Sequence, residues 1–234
     1  MAYERSEIVV PGSRSEVLVA EFLRGVYGWM CGGLAITAVT AFLVANSPTI
    51  VRAIYTNKLL FWVLIIAQFG IVITLSGRVN RLAASTASAL FIAYSALTGV
   101  TLSFVLLLYT AESIASTFIV CAGMFGALAL YGSTTKRNLS GFGQFMFMGL
   151  IGVVIASIVG LFWRNDGLQF MISLVGVVVF AGLTVWDAQR LKGLALATNT
   201  GGTSSMTIVG ALSLYLNFIN LFLFLLRFLG GRRR

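Results

Sequence analysis

Charged residues punctuate this chain, and the gaps between them leave seven apolar runs. Each is long enough, at about 1.5 Å per residue, to cross a hydrocarbon core about 30 Å thick. The runs are Val26 to Val44, Leu59 to Ser76, Ser85 to Leu108, Ser113 to Tyr131, Phe142 to Trp163, Leu168 to Trp186 and Ile208 to Leu229. They are apolar all round and not at every second position, which predicts helices and excludes an alternating β-barrel pattern. The fold class is therefore all-α: a polytopic integral membrane protein with seven transmembrane helices. Three stretches follow. Residues 1–24 form an N-terminal tail with a Pro11-Gly12 breaker and a short amphipathic helix from Ser15, running into the first span. Residues 25–230 form the seven-helix domain, and residues 231–234 a basic tail.

Most connections are short. The longest, Asp187 to Thr207, carries the polar run Asn199 to Ser205 and reads as a flexible loop. Glycines inside the spans, such as Gly28 with Gly32, Gly123 with Gly126 and Gly149 with Gly152, are expected to let helices approach closely where lipid supplies no hydrophobic drive. Alternate loops share a face. Arg5, Arg14, Arg24, Arg78, Arg81, Lys136, Arg137, Arg190 and Lys192 gather on the N-terminal side, which makes that side cytoplasmic. The arginines at 232–234 oppose this assignment and would fit a re-entrant last segment instead.

Composition narrows the function. Of 234 residues 59% are hydrophobic and 10% charged, against about 25% charged in soluble domains. Net charge is +9, but the basic residues are scattered through short loops, which suits anionic lipid headgroups and not nucleic acid. Cys31 and Cys121 fall in apolar runs and read as small hydrophobes. With no histidine, Ser-His and Cys-His nucleophiles and HExxH zinc sites are excluded. One intramembrane carboxylate is too few for an aspartyl protease pair. The last span lacks a retinal-type lysine, and no glycine-rich phosphate loop occurs. No enzyme activity and no resident cofactor are expected; the partners are the bilayer and cations.

That carboxylate is Asp187. Six of the seven acids lie in the tail or in loops, whereas Asp187 closes the sixth run, where a helix end would present it with unfavourable carbonyl dipoles. A buried charge costs several kcal/mol unless paired, so it marks a functional candidate. The bland alternative is a boundary charge paired with Arg190. Crossing parity puts the loop holding Arg78 and Arg81 on the same face, so a salt bridge that closes a pathway and opens on protonation is topologically allowed. In the last run Ser213, Asn217 and Asn220 share one helical face, readable either as a hydrophilic, pore-lining stripe opposite Asp187 or as interhelical hydrogen bonding.

Four segments, Glu21–Tyr27, Tyr131–Ser140, Phe180–Lys192 and Leu212–Phe222, resemble the blocks of the Bax inhibitor-1 (transmembrane Bax inhibitor motif) family in its bacterial branch. The resemblance implies six helices around a central seventh and a pH-sensitive calcium leak of the bacterial inner membrane. It also implies two aspartates sharing a proton, latched by an arginine after the second helix. Asp187 matches the first aspartate, and Arg81, then Arg78, the arginine. Asn217 stands where the second aspartate is expected. An amide still hydrogen-bonds but does not titrate, so no carboxylate pair shares a proton here. Asp187, Asn217, Asn220 and backbone carbonyls are the oxygens that would hold a cation such as Ca2+ transiently. The competing expectation is a non-conducting interaction protein that regulates membrane proteases or stress responses. A coupled transporter is weaker, since neither an inverted repeat nor a proline-broken helix pair is evident.

Overall fold

A computed structural model describes residues 11–77, 82–163, 165–197 and 204–231. Within them the chain forms eight helices: α1 Pro11–Ala45, α2 Pro48–Thr56, α3 Lys58–Gly77, α4 Ala84–Leu108, α5 Ala111–Thr134, α6 Ser140–Phe162, α7 Asp166–Ala197 and α8 Ser204–Leu229. All but α2 are long and apolar enough to span a membrane. The 26 residues of α8 reach about 39 Å at the standard rise, so the last segment has the length of a full crossing. Polar residues between the runs start the helices. Asn57 Oδ1 accepts from the backbone of Leu59 and Leu60, Thr110 Oγ1 from Ser113, and Asn165 Oδ1 from Gly167 and Leu168.

The N-terminal helix differs from expectation in one respect. Pro11 begins α1 and does not break it, a position where its missing N–H costs nothing. The helix then continues unbroken into the first span. Helix α2 was not anticipated, although Pro48 after Ser47 is a usual start signal and Arg52 breaks an otherwise apolar stretch.

The last helix is the most enclosed, with Tyr215, Leu214, Leu221 and Leu212 almost fully buried. It packs directly against α1, α4, α5 and α7, while α3 joins mainly through α4, and α6 through α7. The central position implied for the seventh span therefore holds, but two outer helices leave a lateral gap beside it. Their large side chains, among them Trp62, Ile66 and Phe69 on α3 and Phe145, Met148 and Ile155 on α6, point outward as lipid-facing surface.

The glycines that permit close packing are not the ones the spacing suggested. Around Gly28, Gly32, Gly123, Gly126 and Gly152 a methyl group would meet open space; only Gly149, against Val179, is tight. Contact instead depends on Gly99 against the α1 backbone, Gly132 against the Val185 carbonyl, Gly143 under the Trp186 ring and Gly182 against Met146. A GxxxG-like spacing identifies a smooth helix face without saying what covers it.

Candidate functional site

Asp187 does not end a helix. α7 continues ten residues further, to Ala197, so the expected conflict with the helix dipole, which acts within the last turn, does not arise. The apolar run stops at Trp186, but Ala188, Leu191 and Ala195 are buried and carry the helix on as an amphipathic extension. Asp187 is 5% exposed, low enough that its partners must come from the protein.

They come from α8. Asp187 Oδ2 accepts hydrogen bonds from Ser213 Oγ and Asn217 Nδ2, each at 2.8 Å. The spacing of four residues puts both donors on one face of α8, as the sequence stripe indicated. Asn217 is itself 5% exposed. The other oxygen, Oδ1, is buried without a hydrogen-bond partner among the described residues. Its nearest charge among the described residues is Arg190, one turn along α7, whose Nη2 lies 3.4 Å away. The Arg190 side chain is half exposed and stacks over the Trp186 ring at 5.1 Å. The bland pairing weighed from sequence is thus present, but as an ion pair that gives Oδ1 no hydrogen bond.

Neighbours along α7 fix this geometry. Ala188 packs where Gly132 lets α5 approach, and Leu191 packs against Gly210 of α8. Gln189 accepts from the Leu139 backbone and donates to the Arg137 carbonyl, holding the α5–α6 connection. Lys192 Nζ donates to the Ser133 carbonyl near the end of α5, where a cation suits the free carbonyls. Lys192 is thereby held at α5. Each position of Trp186–Lys192 therefore has a separate contact. At the same end, Ser205 of α8 donates to the Leu82 carbonyl. Arg78 and Arg81 lie outside the described residues.

The site opens onto a cavity of about 790 Å³ between α3, α6, α7 and α8. Its wall extends along α7 from Gln169 to Arg190, about 32 Å at the helical rise. Asn220 belongs to this wall but bonds its amide to the Leu216 carbonyl of its own helix and does not reach Asp187. At the far end Arg227 lies 3.4 Å from Gln169 Oε1, while Gln169 Nε2 donates to the Gly160 carbonyl. Among the described residues no three His, Cys, Asp or Glu side chains converge as metal ligands. Sequence reasoning did not single out Arg227 or Gln169 as site residues. The spacing of Gln169, Phe180, Asp187 and Arg190 along one helix was the available signal.

The same blocks tie the chain to known proteins. Residues 19–234 match the family described as Inhibitor of apoptosis-promoting Bax1. The Inner membrane protein YbhL of Escherichia coli K12 is 48% identical over 99% of both chains. An uncharacterised protein of Borreliella burgdorferi is 46% identical over 94% of this chain and 96% of its own. An uncharacterised protein of Lactococcus lactis, YrjE, is 38% identical over 95% of each. With the match running from the first span to the last and including the Asp187 segment, the chain belongs to the Bax inhibitor-1 family.

Proposed function

We propose that this protein is a pH-sensitive cation leak pathway of the bacterial inner membrane, calcium being the ion the family implies, closed near its cytoplasmic end by Asp187. The reading is carried by one observation: a buried carboxylate with an unsatisfied oxygen on the wall of a cavity that runs most of the length of α7. The printed name of the Escherichia coli relative supports the inner membrane as the location. Ser213 and Asn217 hold Asp187 against α8, and Arg190 neutralises it from the water side. Acid that protonates Asp187 removes the charge that holds Arg190 and weakens the link to α8, which opens the path past the neutral side chain to a cation. The charged group facing Asp187 among the described residues is Arg190; α8 supplies neutral Ser213 and Asn217, and α3 and α6 add only apolar side chains and Ser157 to the wall. Arg81, or Arg78, is the proposed second latch. The bond between Ser205 and Leu82, next in sequence to Arg81, supports it.

The test is flux from liposomes loaded with calcium or with potassium and holding the purified protein, silence meaning silence toward both ions. Flux above empty vesicles, with an acid dependence lost in Asp187→Asn, is expected; silent vesicles, or a variant indistinguishable from the parent, would end the proposal. The second reading, a non-conducting partner of membrane proteases, is favoured by the neutral Asn217 that engages the carboxylate. Silent vesicles together with co-purification of a membrane protease would establish it.

A further inference from the structure

We infer that this pathway passes monovalent cations faster than divalent ones. The inference rests on the leak reading and adds to it the class of ion carried. A divalent cation such as calcium takes about six to eight oxygen ligands, with carboxylates prominent among them. Among the described residues the cavity wall offers one carboxylate, Asp187, against two guanidiniums, Arg190 and Arg227. Its other polar groups are the neutral hydroxyls and amides of Ser157, Gln169, Ser213, Asn217 and Asn220.

The carboxylate is also partly spent. Oδ2 accepts two hydrogen bonds and Oδ1 lies 3.4 Å from Arg190, so an ion reaches either oxygen only by displacing a partner. A carboxyl group so encumbered, and neutral once protonated, meets the demand of a weakly hydrated monovalent ion better than that of calcium. At the other end Arg227 is held over the wall by Gln169 and by the Phe224 ring, 5.9 Å away. The work of passing a fixed positive charge scales with the charge on the ion, and the Born cost of losing water scales with its square. A barrier that slows potassium by some factor therefore slows calcium by at least the square of that factor.

Liposomes carrying the purified full chain, loaded in parallel with potassium and calcium, measure this directly. Potassium flux at least about tenfold above calcium flux at equal gradients is expected from the doubled ionic charge. Equal rates, or faster calcium, overturn the inference while leaving the leak reading intact; silence toward both ions overturns both. Asn217→Asp adds a second carboxylate and should reduce the potassium-to-calcium ratio severalfold. Arg227→Gln, which keeps the gating cluster whole, should reduce it in the same direction and serves should the first variant fail to fold. An unchanged ratio in the variants that fold likewise overturns the inference.

Discussion

The last helix has two polar faces that the protein treats in opposite ways. Toward α1 and α4, the Thr37 hydroxyl lies 2.9 Å from the carbonyls of Gly33 and Ser95 and 2.6 Å from the Tyr215 hydroxyl. Having one proton, it donates to a carbonyl and accepts from Tyr215. Ser95 and Thr98 bond back to their own helix, and the Tyr215 ring meets Phe91 and Tyr94 edge-on at 5.7 and 5.8 Å. Toward α6 and α7, Asp187 keeps a buried oxygen without a hydrogen bond beside a cavity of about 790 Å³. Satisfied buried networks fix one arrangement, and partly satisfied ones leave a second within reach. The first face holds the bundle together, and the proposed gating places the change at the second.

This contrast predicts that the two faces separate stability from flux. The largest stability effect belongs to Thr37→Val. It takes the 2.6 Å partner from the buried Tyr215 hydroxyl, leaving it the Thr98 and Ser95 side chains, and removing one partner of a buried pair costs about 1–3 kcal/mol. The unfolding midpoint in detergent should fall clearly, while flux per folded molecule stays unchanged. A loss of acid-dependent flux at unchanged stability would abolish the distinction between the faces.

Asp187→Asn should do the reverse. An amide of the same shape keeps contact with α8, and the ion pair it removes is with a half-exposed arginine, so stability should stay within about 1 kcal/mol of the parent. The ratio of acid to neutral flux should fall about tenfold, equivalent to about 1.4 kcal/mol. Tyr215→Phe is milder than Thr37→Val because Thr37 can still donate to the Gly33 or Ser95 carbonyl. It should cost about 1 kcal/mol of stability, again without a change in flux.

Much of this arrangement was legible in the sequence, for reasons that also explain what was not. The seven spans follow from runs free of charge, and the stripe of Ser213 and Asn217 from a spacing that only a helix makes continuous. The end of the sixth span was misplaced at Trp186 because hydropathy falls there, whereas the helix persists to Ala197 on buried Ala188, Leu191 and Ala195. Its hydrogen bonds do not require lipid. The glycines went wrong for a related reason: Gly28 and Gly32 share a face, but what opposes that face depends on the crossing of other helices. Thr37 and Tyr215 are 178 positions apart and meet through packing alone.

The smallest expected change in stability, and the sharpest test of which face moves, is Arg190→Gln. The arginine side chain is half exposed and its ion pair with Asp187 is 3.4 Å long, a setting in which such pairs contribute about 0–1 kcal/mol. Its stacking on Trp186 adds little at so wet a site. Unfolding in detergent should therefore be nearly unchanged. The effect on the pathway should be larger, because a neutral glutamine no longer competes with a cation for Oδ1. Cation flux at neutral pH should rise severalfold and the acid dependence should flatten, since the released state no longer waits for a proton. Flux at neutral pH equal to the parent, with the acid response intact, would mean that another guanidinium closes the cavity, and would shift the latch from α7 to the segment of Arg78 and Arg81.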